Sequence, residues 1–122
     1  WGRPVFQVLV RPSRFSFSLL EAHAEFTVCL PRKEHKKELS VCGSVSGRDT
    51  DKIAECGLSL AGSATIAVPH IAESVAHYEC RVIHVNDVVN ATLAPELISR
   101  SYPSGDFHRI YFGEIQGVYR HE

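Results

Sequence analysis

The sequence predicts one domain built mainly from antiparallel β-strands, with short helices inserted between the early strands, arranged as a barrel or a sandwich. Short apolar runs rich in β-branched residues end at prolines or glycines, and two longer segments late in the chain alternate apolar and polar residues. Strands and helices do not alternate regularly, which argues against a parallel sheet. A length of 122 residues suits one hydrophobic core, so we treat residues 1–122 as a single domain.

The first elements are two short apolar strands with a helix between them. Residues 5–10 (VFQVLV) are bounded by prolines and predict a buried strand. Residues 16–24 predict a short helix, because Ser18 and Glu21 have the spacing of a capping box. Residues 26–30 (FTVCL) predict a second strand, which a proline ends.

The middle of the chain predicts two helices, a polar loop and one brief strand. Residues 32–40 are charged and helix-prone, and a loop follows over residues 43–47. A helix is predicted from Asp49 to Gly57, because an acidic residue suits the positive end of a helix and glycine suits the left-handed position after it. Residues 64–68 predict a brief strand before a proline.

Two long strands are predicted near the end of the chain. Residues 76–85 and 107–119 alternate apolar and polar side chains, as expected of half-exposed strands. The connection between them, residues 86–106, is irregular and is either a long loop or a loop that encloses one short helical turn. Connections of about 20 residues are unusual in compact domains and are often functional, so we hypothesise a functional role for this one.

Composition and charge exclude several classes of function. The 13 Lys and Arg residues against 14 Asp and Glu give a formal net charge of −1, which provides no positive field for nonspecific binding to nucleic acids or anionic membranes. No apolar run approaches the roughly 20 residues that cross a bilayer, and no secretion signal is visible. The four cysteines have neither CxxC nor zinc-finger spacing, which predicts free thiols in a reducing cytoplasm.

The turn between the first strand and the first helix is the first candidate binding site. It carries Arg11, Ser13, Arg14 and Ser16, and the free backbone N–H groups of a helix start lie beside them. Guanidinium, hydroxyl and N–H groups together favour an anion, most naturally a phosphate. The alternative is a solvated turn in which Ser16 or Ser18 caps the helix.

A glycine- and serine-rich loop, residues 42–52 (CGSVSGRDTDK), is the second candidate. Gly43 and Gly47 permit a tight turn, and hydroxyl and cationic side chains supply donors around it. It is not a Walker A loop, since the glycines are spaced differently and no Gly-Lys-Ser/Thr follows. The loop either wraps a phosphate or the edge of a polar ring, or forms a polar turn between helices with Asp49 as N-cap.

The order of these segments resembles the flavin reductase-like family, in particular its flavoredoxin and ferric-reductase branch. The most specific element is SGRDTDK at 46–52, which follows VRPSRFSF at 10–17 and EFTVCLP at 25–31. Members of this family are FMN-binding split-barrel proteins, so the resemblance implies an antiparallel split β-barrel. Further matches follow in the family's order over nearly the whole chain: VPHIAE at 68–73, YECRV at 78–82 and HRIYFGEI at 108–115.

The resemblance implies a cofactor, a reaction and an assembly. The cofactor would be FMN, with FAD as the alternative, held non-covalently near the interface of a homodimer. NADH or NADPH would reduce the flavin by hydride transfer, and the electrons would pass to a ferric complex or a redox partner protein. The protein would be a cytoplasmic oxidoreductase. The chain has no Met and opens on Trp1, so we expect an N-terminal portion, which in this family contacts the flavin ring, to precede it.

The resemblance also assigns candidate site residues by position. Residues of the turn would lie near the phosphate and ribityl chain of FMN, and residues of the loop would close around the cofactor or shape the approach of the nucleotide. His108 would face the open side of the flavin as the candidate catalytic residue, and Cys29 stands where the family commonly has Asn near the cofactor. The remaining cofactor-binding candidates are Arg11, Ser13, Arg14 and Ser16 in the turn, and Ser44, Ser46, Gly47, Arg48, Asp49 and Lys52 in the loop.

Two other functions stay open at this point. One is a non-catalytic electron carrier that binds FMN and is reduced by a partner protein. The other is a barrel with an empty site that serves as an interaction domain. A metal site is not predicted, because His77 and His84 are an odd number of positions apart and would lie on opposite faces of a strand. We therefore expect hydrogen-bonded or surface histidines.

Overall fold

A computed structural model describes all residues, 1–122, as six strands and four α-helices. Strands predominate and the helices are short, which confirms the predicted mainly β chain with helical insertions. Two 3₁₀ turns, Lys33–His35 and Asn90–Thr92, precede the second and fourth helices. The elements in chain order are β1 (Val5–Val10), α1 (Phe15–His23), β2 (Glu25–Leu30), α2 (Lys36–Ser44), α3 (Lys52–Glu55), β3 (Leu60–Ala61), β4 (His70–Ile71), β5 (Ala76–Asp87), α4 (Pro95–Ser101) and β6 (Arg109–Arg120).

Four of the strands form one curled antiparallel sheet in the order β1–β6–β5–β2. The two long strands lie at its centre and pair from Ala76 opposite Arg120 to Asp87 opposite Arg109. Register shifts after Glu79 and after Val82 bend this pair, because an unpaired residue increases the local twist of a strand. The resulting half-barrel is the predicted antiparallel split barrel. Strands β3 and β4 form a separate two-stranded ribbon.

Helix α1 is fastened to the sheet near its C-terminal end. Glu21 accepts hydrogen bonds from the hydroxyl of Tyr111 at 2.6 Å and from Arg109 at 3.0 Å, both on β6. Tyr111 is almost fully buried. Glu21 therefore does not close a capping box, and Ser18 instead donates to the carbonyl of Phe15 within the helix. The predicted capping box is wrong because a partner distant in the sequence takes up the carboxylate.

The predicted strand over residues 64–68 is also wrong. The backbone N–H groups of Ala64 and Thr65 donate to the carboxylate of Glu79, at 2.8 and 2.7 Å, and that of Ala67 donates to Glu25 at 3.0 Å. Carboxylates on β5 and β2 thus take the donors that a strand ladder would use. The segment forms bends, and the actual strands lie on either side of it, at β3 and β4.

The middle helices differ from the prediction at their ends. Helix α2 continues through Ser44, so the first two residues of the predicted 43–47 loop are helical. Asp51 rather than Asp49 caps α3, since its side chain accepts from the backbone N–H of Ala54. The longest helices have nine residues each, and no helix is both long and apolar enough to cross a membrane.

Gly113 lets β5 and β6 approach the aromatic ring of Phe26 on β2. A Cβ atom at this position would lie 2.8 Å from Cβ of Cys80 and closer still to the end of the Phe26 ring. Cys80 is fully buried and its Cβ cannot move without the backbone of β5. The sheet therefore has no room for a side chain here.

Replacing Gly113 by alanine is expected to lower the free energy of unfolding by about 1–3 kcal/mol, the usual cost of overpacking a core. Gly43→Ala is the matched control, because nothing lies within 4 Å of its added Cβ and the residue is in helix α2. There alanine is expected to raise stability by about 0.5–1 kcal/mol. Urea unfolding measures both, and equal stabilities for the two variants would contradict the close packing at Gly113.

Candidate functional site

A cleft of about 1160 Å³ lies between the β1–α1 turn and the loop that follows α2. Every predicted site residue except Cys29 lines this cleft. The two stretches that the sequence singled out separately thus face each other across one open space. The predicted residues that line it are Arg11, Ser13, Arg14, Ser16, Ser44, Ser46, Gly47, Arg48, Asp49, Lys52 and His108.

Charge distinguishes this cleft from the rest of the molecule. Four cationic side chains line it, from Arg11, Arg14, Arg48 and Lys52, against two acidic ones, from Asp49 and Asp51. The balance is +2 in a chain whose formal net charge is −1. Positive side chains concentrated in a concave space attract anions.

The start of α1 forms the first wall and leaves its donors free. Arg14 holds the N-cap position without a side-chain cap, and the first turn contains no acidic residue. The guanidinium of Arg14 and the hydroxyl of Ser16 make no hydrogen bond to another residue, and both residues are exposed. The backbone N–H of Phe17 donates to the carbonyl of Arg14, which leaves the N–H groups of Phe15 and Ser16 free. These two groups, the positive end of a nine-residue helix and the unpaired guanidinium of Arg14 are therefore available at this wall of the cleft.

The loop after α2 forms the second wall and touches the first at Phe15. A Cβ at Gly47 would lie 2.9 Å from the ring of Phe15, so glycine permits the close approach. The guanidinium of Arg48 lies 5.9 Å from the centre of the same ring. Lys52 donates to the carbonyl of Cys42 at 2.7 Å and thereby ties the end of the loop to α2.

Arg11 and Ser13 form hydrogen bonds with a segment that does not itself line the cleft, residues 101–106, which we call the strap. Arg11 donates to the carbonyls of Ser101 at 2.8 Å and of Asp106 at 3.3 Å. The carboxylate of Asp106 accepts from the hydroxyl and the backbone N–H of Ser13, at 2.5 and 3.0 Å. The Ser13 hydroxyl bond is the main cause that lowers the pKa of Asp106. Within the turn, Arg14 and Ser16 are thus freer to bind a ligand than Arg11 and Ser13.

The strap carries Tyr102, a residue that the sequence analysis missed. Its hydroxyl lies 2.5 Å from Nδ1 of His108, and the guanidinium of Arg11 lies 4.7 Å from the centre of its ring. Burial is the main cause that lowers the pKa of His108, and the positive charge of Arg11 adds to it. The only sequence signal for this pair was the unusual length of the connection over residues 86–106.

An apolar cavity of about 940 Å³ adjoins the cleft. Val10, Ser16 and Leu19 line both spaces, so the two are continuous. The walls of the cavity come from β1, α1 and β2, and ten of its fifteen lining residues are hydrophobic. Cys29 lies here rather than in the cationic cleft, and its sulfur accepts from the backbone N–H of Ile71 at 3.4 Å.

A histidine cluster lies elsewhere, beside the buried Glu79. The rings of His70 and His77 face each other at 3.7 Å and are parallel within 5°, and Nδ1 of His77 lies 2.8 Å from Nε2 of His121. One ligand nitrogen each from His70, His77 and His121 lie within 4.8 Å of one another, a grouping that could hold a metal ion. Nδ1 of His70 is buried and has no hydrogen-bond partner in the protein. Spacing alone did not reveal this cluster, because His121 follows the end of β6. His84 instead packs on Phe112 at 5.1 Å.

The comparisons with known sequences agree over nearly the whole chain. The family model described as a flavin reductase like domain matches residues 3–122. An uncharacterized protein of Archaeoglobus fulgidus is 34% identical over 111 residues, which are 91% of this chain and 53% of that protein. An uncharacterized protein of Pyrococcus abyssi is 29% identical over 86 residues, 70% of this chain and 49% of that protein. The chain therefore spans about half the length of the curated relatives it matches.

Solved structures share the fold. An FMN-binding protein from Thermus thermophilus has a TM-score of 0.75 at 25% identity, over 98% of this chain and 57% of that chain. A flavoredoxin from Methanosarcina acetivorans has a TM-score of 0.76 at 23% identity, over 100% and 55%. An NADH:FAD oxidoreductase from Streptomyces globisporus has a TM-score of 0.72 at 19% identity, over 98% and 60%.

Proposed function

The chain belongs to the flavin reductase-like family, and from this premise we propose that it binds FMN and acts as an NAD(P)H-dependent oxidoreductase. The observation that carries the proposal is the cationic cleft, in which four positive side chains and the free start of α1 oppose only two carboxylates. The adjoining apolar cavity supports the same ligand, because FMN joins a charged phosphate to a flat ring system whose dimethylbenzene end is apolar.

The residues of the cleft fit a phosphate. Arg14 makes no ion pair, although it is one of the two cations nearest the start of α1. A phosphate oxygen accepts charge-assisted hydrogen bonds from such a guanidinium and from the free N–H groups beside it. We propose that Arg14, Ser16 and the backbone of the first turn of α1 hold the phosphate, with Arg48 and Lys52 from the opposite wall.

The apolar cavity fits the ring system. Leu19, Phe26, Val28 and Val68 offer hydrophobic surface, and Ser16 stands at the junction with the cleft. Cys29 also lines this cavity, which supports the prediction that its strand lies near the cofactor. The ribityl chain would cross the junction between the two spaces.

The proposed cofactor determines which part of the reaction the protein itself must perform. When bound, FMN supplies the redox chemistry, since it accepts a hydride from a nicotinamide nucleotide and passes electrons to an acceptor. The protein's task is to bind and orient the cofactor and to exclude water, so the proposed reaction requires no catalytic nucleophile or acid–base pair from the protein. We propose that His108, at the strap end, offers a hydrogen-bond donor to the bound nucleotides.

Assembly and location are part of the same proposal. Large apolar side chains such as Leu9, Leu60 and Val118 are more than half exposed, and only 8 of the 122 residues are buried. Such surface favours association, and we propose a cytoplasmic homodimer that delivers electrons to a ferric complex or a redox partner protein. Light scattering tests the dimer directly, and a monomer at micromolar concentration would contradict it.

The experiment that tests the function uses the purified protein and anaerobic spectroscopy. Protein incubated with FMN and desalted is expected to keep the flavin absorbance, and NADH or NADPH alone is expected to bleach it. A protein that keeps FMN but bleaches only when a partner reductase is added is an electron carrier instead. A colourless protein after incubation with FMN or FAD contradicts both functions and favours an interaction domain.

A further inference from the structure

Tyr102 in the strap and His108 just after it form a tyrosine–imidazole pair joined by one hydrogen bond. The hydroxyl of Tyr102 lies 2.5 Å from Nδ1 of His108 and has no other partner in the protein. If Nδ1 carried the proton, the hydroxyl would accept that hydrogen bond, and its own proton would have no acceptor within the protein. The arrangement that satisfies both groups is a hydroxyl that donates to Nδ1. A neutral imidazole that accepts at Nδ1 carries its proton at Nε2.

Three contacts fix the tyrosine itself. Its ring stacks on Phe107 with the centres 4.7 Å apart, and the guanidinium of Arg11 covers its ring at the same distance. Its backbone N–H closes the end of α4 on the carbonyl of Ile98 at 2.9 Å. The hydroxyl therefore has a defined position relative to the imidazole.

The surroundings of His108 favour its neutral form. Arg11 and Arg14 act on it from the β1–α1 turn and Asp106 from the strap. The charged residues of the opposite wall of the cleft are Arg48, Asp49, Asp51 and Lys52. Burial and the two arginines lower the pKa of His108, which outweighs the opposite effect of Asp106. Nε2 has no hydrogen-bond partner in the protein, while the side chain lines the cleft.

We propose that Tyr102 is a positioning residue that holds His108 as a neutral hydrogen-bond donor, with its Nε2–H reserved for an acceptor oxygen of the nucleotide in the cleft. The inference rests on the proposed function only for the identity of that acceptor. Arg11 and Ser13 then serve the site by fastening the strap, because their hydrogen bonds to Ser101 and Asp106 hold the pair in place.

The first test is the protonation state of His108 without any ligand. Long-range ¹H–¹⁵N spectra of histidine-labelled protein distinguish the two tautomers, and His108→Gln identifies the resonances of this residue. Wild type is expected to show the Nε2–H form alone. Tyr102→Phe keeps the ring stack and removes only the hydroxyl, so it is expected to give a mixture of tautomers. It is also expected to raise the pKa of His108, since a donor to Nδ1 favours the neutral form.

Tyr119→Phe is the matched control, because this ring stacks on His77, outside the cleft, and its hydroxyl makes no hydrogen bond. It is expected to leave His108 unchanged. Wild-type protein with its proton on Nδ1 would overturn the proposal whether or not Tyr102→Phe folds. The proposal would also be overturned if Tyr102→Phe changed neither the tautomer nor the pKa of His108.

The second test is binding of FMN, followed as the pH dependence of its Kd. Tyr102→Phe is expected to weaken binding about three- to tenfold at pH 7, the range for one neutral hydrogen bond. If Tyr102→Phe gives a mixture of His108 tautomers but binds FMN, NADH and NADPH as tightly as wild type, the Nε2–H of His108 is not a donor to the nucleotide. If wild type binds none of these nucleotides, the proposed function fails, while the spectra still decide the tautomer.

Discussion

Replacing Arg14 by alanine is expected to weaken FMN binding by about ten- to hundredfold, the range for a hydrogen bond to a charged group. The guanidinium stands at the start of α1 with no ion pair of its own, so its removal disturbs no internal contact. We therefore expect the free energy of unfolding to change by less than about 0.5 kcal/mol. Fluorescence titration with FMN measures the first effect and urea unfolding the second.

Two further variants make this result specific. Lys33→Ala removes a positive charge from a 3₁₀ turn that does not line the cleft, and it is expected to leave the affinity unchanged. Arg14→Lys keeps the charge but not the forked geometry, so its affinity is expected to fall between those of wild type and alanine. Equal losses in Lys33→Ala and Arg14→Ala would remove Arg14 from the phosphate site.

Replacing Glu79 by glutamine is expected to lower the free energy of unfolding by about 3–5 kcal/mol, because it breaks a buried charged network. The side chain is fully buried, and its carboxylate accepts from Ala64, Thr65 and His77. The amide of glutamine would place its own N–H donors opposite the donors of Ala64, Thr65 or His77, and these groups cannot bond to one another. Urea unfolding measures the change, with Glu96→Gln as the control, since Glu96 is exposed at the start of α4 and makes no side-chain contact.

The decrease in the free energy of unfolding caused by Glu79→Gln is also expected to depend on pH. Burial raises the pKa of Glu79, but hydrogen bonds from Thr65, His77 and Ala64 outweigh it and lower the pKa from 4.5 to about 2. A carboxylate with a depressed pKa stabilises the fold fully above its unfolded value and loses that effect as the pH falls. The stability difference between wild type and variant is therefore expected to shrink between about pH 4.5 and pH 2. A constant difference over that range would show that the charge of Glu79 does not matter.

The strands were predictable where burial imposes a pattern. VFQVLV, apolar except for Gln7, forms β1 as predicted, but the strand lies at the edge of the sheet and none of its residues is fully buried. The alternation over residues 76–85 and 107–119 matches β5 and β6 to within a few residues. Local composition alone does not distinguish a binding loop from a solvated turn in either wall of the cleft. The prediction that the two walls form one site rested instead on the order of the motifs along the chain.

The failures share one physical cause, which is a partner far away in the sequence. The carboxylate of Glu21 was assigned to a helix cap, but its partner Tyr111 is 90 positions away. Residues 64–68 have the composition of a strand, but their N–H groups bind carboxylates on other strands. Tyr102 sits in a segment without periodicity, and its partnership with His108 depends on how Arg11 and Asp106 fold the strap back. Local patterns carry no information about such contacts.

The bond from Tyr111 to Glu21 has a consequence for the kinetics of ligand capture. Because a buried hydroxyl of β6 anchors the C-terminal part of α1, we expect the opposite end of that helix to be ordered before an anion binds. A site that is ordered before binding loses less conformational entropy when the ligand associates. We expect the phosphate to be captured at a rate set by diffusion and salt, with no slower unimolecular step behind it.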